Sequence, residues 1–129
     1  MAMFMARYDQ YAYAALRIVT GLLFLFHGSQ KLLNWPVDAM AGMPPFVTYI
    51  AGPIELLGGI LVMIGLMTRW AAFVCSGLMA AAYWMAHGPK ALFPMLNGGE
   101  LAIIFSFVFL YIAARGPGIW SVDAMRGQS

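Results

Sequence analysis

Four long hydrophobic stretches fill this chain, and most of its few ionisable residues lie at the ends of these stretches or inside them. Apolar residues make up 63% of the sequence and charged residues only 9%, which leaves too little polar surface to cover a soluble domain of this length. The solvent that suits such a chain is lipid. Because an ionisable side chain inside a membrane span is costly, each one marks either a helix contact or a working site.

The hydrophobic stretches predict an all-α membrane protein, a four-transmembrane-helix bundle that forms one domain over residues 1–129. About 20 helical residues are needed to cross a bilayer, so the chain has room for four spans and little else. A kink is expected at Pro53, which neighbouring helices can accommodate. The predicted spans cover residues 11–33, 46–67, 70–87 and 99–114.

The basic residues divide between the two sides of these spans. Lys31 and Lys90 fall on one side, and the other side carries four arginines: Arg7, Arg69, Arg115 and Arg126. Cytoplasmic loops carry the excess of basic residues in membrane proteins. Both termini are therefore predicted to be cytoplasmic. The formal charge of +2 is too small and too dispersed to indicate nucleic-acid binding.

Each span carries one face of polar or small side chains when the residues are spaced at 100°. Small residues let membrane helices approach closely, and polar side chains bond across the gap, so the four faces are expected to point at one another. The faces are Arg17, Thr20, Gly21, Phe24, His27, Gly28 and Lys31 in the first span; Thr48, Gly52, Glu55, Gly58, Gly59, Val62 and Arg69 in the second; Ser76, Met79, Tyr83 and His87 in the third; and Asn97, Glu100, Ile104, Phe107 and Tyr111 in the fourth.

Polar residues from four segments fall in the same half of the predicted bundle, the half facing away from the cytoplasm. They are His27, Lys31, Glu55, His87, Lys90, Asn97 and Glu100. This convergence predicts a polar intramembrane site. The alternative interpretation is structural: Glu55 and Glu100 pair with Lys31 and Arg17 to hold the bundle together.

The residue types in this group suit proton exchange and the binding of a quinone headgroup. A quinone needs hydrogen bonds to two carbonyl oxygens and needs protons when it is reduced, and a buried carboxylate and imidazole can exchange protons near neutral pH. A second possibility is haem b held between His27 and His87, although two histidines in a membrane bundle are more often ordinary hydrogen-bonded residues. The single cysteine, Cys75, excludes a cysteine-clustered metal site, and no metal site is predicted.

Four segments, in the right order, resemble the DoxX family of membrane proteins. They are residues 17–31 (RIVTGLLFLFHGSQK), residues 53–59 (PIELLGG) with 65–69 (GLMTR), residues 97–100 (NGGE), and residues 116–118 (GPG) with 121–123 (SVD). The resemblance implies a small, multi-pass protein of the bacterial inner membrane. It also implies a redox setting, because some relatives are subunits of thiosulfate:quinone oxidoreductase and others are linked to quinone stress or to partner redox enzymes. The family's recurrent polar positions map onto Arg17, His27, Lys31, Glu55, Arg69, Asn97 and Glu100.

The first functional hypothesis is an accessory of a quinone-linked redox system, an oxidoreductase subunit rather than a stand-alone enzyme. Its catalytic residues would be Glu55, His27 and Lys31. The residues expected to bind the cofactor are Arg17, Tyr83, His87, Asn97 and Glu100. The alternatives are a non-catalytic scaffold for a partner oxidoreductase and a protein that binds a small molecule or lipid through a lateral opening between helices. The expected partners are the bilayer and either a redox protein or a second copy of the chain.

Overall fold

The computed structural model describes residues 3–129, and this part of the chain is helical with no β-strand. A 3₁₀ segment, Met3–Tyr8, leads into the first helix, and π-helical turns at Val47–Ala51 and Tyr83–His87 adjoin the second and third. The α-helices are α1 (Asp9–Leu33), α2 (Gly52–Ile64), α3 (Thr68–Ala82), α4 (Pro94–Asn97), α5 (Glu100–Arg115) and α6 (Val122–Met125).

Two continuous helical segments are long and apolar enough to cross a membrane. They are Met3–Leu33, with 31 residues, and Val47–Ile64, with 18 residues. The second contains Pro53, which lacks an N–H group for the regular helical hydrogen bond. The preceding turn is widened to a π-helical one, in which the Gly52 N–H donates to the Val47 carbonyl. The disturbance expected at Pro53 therefore takes the form of this π-helical turn.

The helices pack as two pairs, α1 with α2 and α3 with α5, and α2 also contacts α3. The bundle has two ends, each held together by its own hydrogen bonds and ion pairs. The loop end contains the end of α1, the start of α2, the end of α3 and the start of α5. The terminus end contains the start of α1, the end of α2, the start of α3 and the end of α5.

Helices α1 and α2 meet backbone to backbone at three glycines. A Cβ atom on Gly21 would lie 2.7 Å from the Gly59 carbonyl oxygen, and one on Gly59 would lie 2.8 Å from the Gly21 carbonyl oxygen. A Cβ atom on Gly28 would lie 2.7 Å from the Cα atom of Leu56. No side chain fits at these positions, so the small-residue faces predicted for the first two spans do form the contact.

Helices α3 and α5 are joined by a reciprocal pair of serines. The Ser76 hydroxyl donates to the Ser106 carbonyl at 2.7 Å, and the Ser106 hydroxyl donates to the Ser76 carbonyl at 3.0 Å. Each hydroxyl thereby finds an acceptor on the neighbouring helix, as polar groups in an apolar bundle require. The predicted inner face of the third span is confirmed, because Ser76, Met79 and Tyr83 are buried.

The inner face predicted for the fourth span is wrong within α5, although Asn97, which belongs to the same predicted face and precedes α5, is buried. Four other side chains of α5 are buried: Ala102, Phe105, Phe109 and Ile112. Helix α5 is apolar on nearly every side, so Glu100 is the main guide to its orientation in the sequence. That residue occupies the first turn, where a carboxylate is favoured by the helix dipole without having to face the core. The residues expected on the inner face are exposed: Glu100, Ile104, Phe107 and Tyr111.

Arg17 fastens the segment after α5 to the terminus end of the bundle. Its side chain is fully buried. The Nε atom donates to the Val62 carbonyl at 3.1 Å, and the two Nη atoms donate to the carbonyls of Pro117, Ile119 and Trp120. Four carbonyl oxygens thus solvate a buried cation that has no carboxylate within hydrogen-bond distance in residues 3–129.

Asp123 caps the N-terminus of α3 from a distant part of the chain. Its carboxylate accepts from the amides of Met67 and Thr68 at 3.1 and 3.0 Å and from the Thr68 hydroxyl at 2.8 Å. Burial by itself raises the pKa of the Asp123 carboxyl, but these hydrogen bonds outweigh it and hold the pKa below its usual range.

We predict that Gly28→Ala destabilises the bundle by about 1–3 kcal/mol, because the new methyl group would overlap the backbone of α2. Gly77→Ala is the matched control: it lies in the same kind of helix, but a Cβ atom added there would have no neighbouring atom within 4 Å. That change should be neutral or stabilise by up to about 1 kcal/mol. Thermal unfolding in detergent, followed by circular dichroism, measures both, and equal midpoints would contradict the close contact.

We predict that Asp123→Asn lowers stability by about 1 kcal/mol at pH 7, since the amide has one acceptor oxygen where the carboxylate uses two, and the negative charge at the helix N-terminus is lost. The native pKa of this carboxyl is depressed, so its contribution is present at neutral pH and disappears as the pH falls through the native pKa. The gap between wild type and variant should therefore narrow in acid. Asp38→Asn, on an exposed loop, should show no such gap at any pH. A gap that does not depend on pH would contradict the assignment.

Candidate functional site

An ion pair between α1 and α2 is the centre of the loop end. The Lys31 ammonium lies 2.8 Å from the Glu55 Oε2 atom, and the side chains are 15% and 5% exposed. Lys31 follows His27 by one helical turn, and its Nζ atom is 3.5 Å from the His27 carbonyl. The close glycine contact between the two helices brings these side chains together.

One oxygen of this pair has no hydrogen bond. The contact between Lys31 and Glu55 Oε2 has the distance of an ion pair but not the angle of a hydrogen bond. Within residues 3–129, Oε2 is the one buried side-chain oxygen or nitrogen without a hydrogen-bond partner. A buried oxygen without a hydrogen bond costs free energy. Glu55 can therefore still accept a hydrogen bond from a further donor.

His27 lies between this ion pair and the aromatic core. Its imidazole is half-buried, and the ring meets the Phe105 ring edge-on at 5.9 Å between centroids. Phe24 in turn contacts Phe105 and Phe109 at 5.4 and 4.7 Å. This aromatic group connects α1 to α5 and contacts the His27, Lys31 and Glu55 group through the His27 ring.

A second polar group joins the end of α3 to the segment before α5. The Asn97 amide nitrogen donates to the Tyr83 hydroxyl at 3.0 Å and to the Ala91 carbonyl at 3.2 Å, and the amide oxygen accepts from the Gly99 N–H at 2.8 Å. The Nδ1 atom of His87 lies 3.2 Å from the Asn97 carbonyl. Because a carbonyl only accepts, this contact assigns the proton to Nδ1. Both amide N–H groups of Asn97 are therefore used, and this side chain holds the loop in place.

The structure distributes the predicted site residues over three places. Two groups lie at the loop end, one with His27, Lys31 and Glu55 and the other with Tyr83, His87 and Asn97. No hydrogen bond or ion pair within residues 3–129 joins them. Glu100 is exposed and pairs with neither Lys31 nor Arg17 in this part of the chain.

Arg17 lies at the terminus end, away from both groups. Its guanidinium is occupied by backbone carbonyls, so the geometry gives it a structural role rather than a place beside Glu55. Arg69 at the same end covers the last carbonyls of α5 at Ala113, Ala114 and Arg115. The sequence signal for this end is the 121–123 segment, whose Asp123 is the helix cap.

A groove between α2 and α3 is the kind of lateral opening expected for a protein that binds a small molecule or lipid, although no residue pattern in the sequence indicates its position. It has a volume of about 290 Å³, and both helices and the turn between them contribute apolar side chains to it. At its base the Cys75 sulfur packs directly over Gly58. No group of three or more His, Cys, Asp or Glu residues within 3–129 is arranged to hold a metal ion.

Comparison with known proteins identifies the family. The model for the DoxX family matches residues 12–88, a range that includes His27, Lys31 and Glu55. A Haemophilus influenzae protein named only "Uncharacterized protein" is 40% identical over 91% of this chain and 92% of its own length. The chain belongs to the DoxX family.

Two more distant relatives carry descriptive names. A Bacillus subtilis protein named "Putative oxidoreductase CatD" is 27% identical over 84% of this DoxX chain and 81% of its own. "Inner membrane protein YqjF" of Escherichia coli is 28% identical over 84% and 87%. No solved structure matches the chain. Family and relatives together make this a DoxX-family membrane protein.

We predict that Lys31→Met destabilises the bundle by on the order of 3 kcal/mol, because the Glu55 carboxylate would remain buried without its counter-charge. The double variant Lys31→Met/Glu55→Leu should recover most of that loss, since it leaves no buried charge. Unfolding midpoints of the wild type, both single variants and the double variant form the required cycle. Additive effects in that cycle would refute the coupling.

Proposed function

We propose that this DoxX protein is a four-span, multi-pass protein of the bacterial inner membrane that serves a quinone-linked redox system. It would bind the quinone headgroup at His27, Lys31 and Glu55. The observation that carries the proposal is the buried ion pair of Lys31 and Glu55, with one carboxylate oxygen left to accept a donor. We propose that the chain works as a subunit beside a partner oxidoreductase rather than as a stand-alone enzyme.

The helix lengths and the basic residues support the proposed topology. Helix α3 has 15 residues and is followed by a five-residue π-helical turn, and α5 has 16 residues, or about 24 Å. Arg69 and Arg115 lie at the terminus end, whereas Lys31 and Lys90 lie at the loop end. By the positive-inside rule, the terminus end with both termini would face the cytoplasm.

The chemistry of the His27, Lys31 and Glu55 group suits a quinone. The Lys31 ammonium can donate to a quinone carbonyl oxygen, and it is the more exposed member of the pair. Glu55 can accept a proton, and the His27 imidazole can either donate or accept one. The name of the Bacillus subtilis relative, an oxidoreductase, agrees with a redox setting. Tyr83, His87 and Asn97 would complete the site by fixing the loop that covers this end.

A second candidate function follows from the groove between α2 and α3. An apolar groove between membrane helices is suited to an acyl chain or another hydrophobic ligand. Its lining is Pro53, Ile54, Leu57, Gly58, Leu61, Met67, Trp70, Ala71, Val74 and Cys75. Binding there would depend on shape rather than on Glu55, so Val74→Trp should reduce it and Glu55→Gln should not.

We predict that the wild-type protein, purified gently from its host membrane, carries quinone detectable by mass spectrometry. Lys31→Gln should lower the bound quinone about tenfold, because it removes a charge-assisted hydrogen bond to the headgroup. Glu55→Gln should lower it as well, because the Lys31 ammonium loses the carboxylate that positions it. Glu100→Gln is the matched control, since this carboxylate also lies at the loop end of the bundle but is exposed. Wild-type protein free of quinone, or an equal loss in the control, would overturn the proposal.

A further inference from the structure

The unsatisfied oxygen of Glu55 restricts the kind of ligand that this site can hold. Glu55 is 4% exposed, and its Oε2 atom is an acceptor with no donor at hydrogen-bond geometry within residues 3–129. Lys31 approaches that atom to 2.8 Å but from an unfavourable angle. The atom can accept a hydrogen bond from a ligand that has an N–H or O–H group, but not from a ligand that has only oxygen lone pairs.

The two redox forms of a quinone differ in this respect. The oxidised form presents two carbonyl oxygens, which only accept hydrogen bonds. The reduced quinol presents two hydroxyl groups, and each of these can donate one hydrogen bond and accept others. Resting on the quinone site proposed above, we propose that Glu55 makes this a quinol-selective site, in which one quinol hydroxyl donates to Glu55 Oε2.

Lys31 has the capacity to hold the same hydroxyl group from the other side. Its ammonium carries three N–H groups. The ammonium lies 2.8 Å from Glu55 Oε2 as an ion pair, and its contact with the His27 carbonyl is long at 3.5 Å. At least one N–H therefore remains to donate to the quinol oxygen while that oxygen's hydrogen points to Glu55. Lys31 is the more exposed member of the pair, at 15% against 5%, so a ligand would approach Glu55 along this side chain.

The second polar group at the loop end leaves no buried side-chain acceptor without a hydrogen-bond partner within residues 3–129. The Asn97 amide already makes three hydrogen bonds, and the Nδ1 atom of His87 is used by the Asn97 carbonyl. The preference for the reduced form thus depends on Glu55, and this single carboxylate can be tested.

The test compares the two redox forms of one probe. Quinone-depleted protein in nanodiscs is titrated under anaerobic conditions with decylubiquinol and, separately, with decylubiquinone, and the dissociation constants are measured by calorimetry. We predict that wild type binds the quinol at least about tenfold more tightly, since it gains a hydrogen bond to a charged acceptor. Glu55→Gln should bring the ratio close to one, because an amide can donate to the quinone as well as accept from the quinol. Glu100→Gln should keep the wild-type ratio.

Each outcome has a separate meaning. Equal or tighter binding of the oxidised form by wild type would overturn quinol selectivity and leave the proposed quinone site standing. Binding of neither form would overturn both. If Glu55→Gln does not fold, the double variant Glu55→Gln/Lys31→Met, which leaves no buried charge, replaces it. A quinol preference that survives in the replacement would remove Glu55 from the explanation.

Discussion

The backbone contact between α1 and α2 is the constraint on which the rest of this structure depends. Gly21, Gly28 and Gly59 allow the two helices to touch without intervening side chains. At that separation Lys31 reaches Glu55, and the ion pair closes the same interface at the loop end. Apolar side chains gain little from association in lipid, so close packing and polar contacts of this kind must supply the stability. The helix contact and the candidate site are therefore parts of one interface.

At the terminus end, polar contacts hold the last segment of the chain against the bundle. The carbonyls of Pro117, Ile119 and Trp120 accept hydrogen bonds from Arg17, and Asp123 caps α3. Tyr13 adds a hydrogen bond to the Gly116 carbonyl at 2.5 Å. A cation on the first helix and an anion on the last thus tie four helices and the C-terminal segment together. The 121–123 motif that resembles the family signature has a structural explanation in this cap.

Much of this arrangement could be predicted from the sequence, where polar and small residues coincide on one helical face. In α1 the face from Arg17 to Gly28 carries both kinds, and in α2 Glu55 lies one turn from Gly58 and Gly59, so the packing face follows. Helix α5 has no such coincidence. The one charged residue in its first turn, Glu100, indicated the wrong face. At the exposed start of a helix, a carboxylate is stabilised by the helix dipole and does not have to face the core. The depth predicted from the sequence likewise put His27 and His87 at one level in the membrane. It did not show that the two histidines belong to separate polar groups.

The two ends of the bundle differ in how completely the hydrogen-bonding capacity of their buried charged groups is used, and this difference supports the proposed position of the ligand. At the terminus end, four of the five N–H groups of Arg17 donate to carbonyls, and both oxygens of Asp123 accept hydrogen bonds. At the loop end, Glu55 is equally buried but keeps an oxygen without a hydrogen bond. A buried acceptor without a hydrogen bond costs free energy, and the nearby Lys31 charge offsets part of that cost. The capacity of Glu55 to accept a further hydrogen bond is the reason for placing the proposed ligand at the loop end rather than at the terminus end.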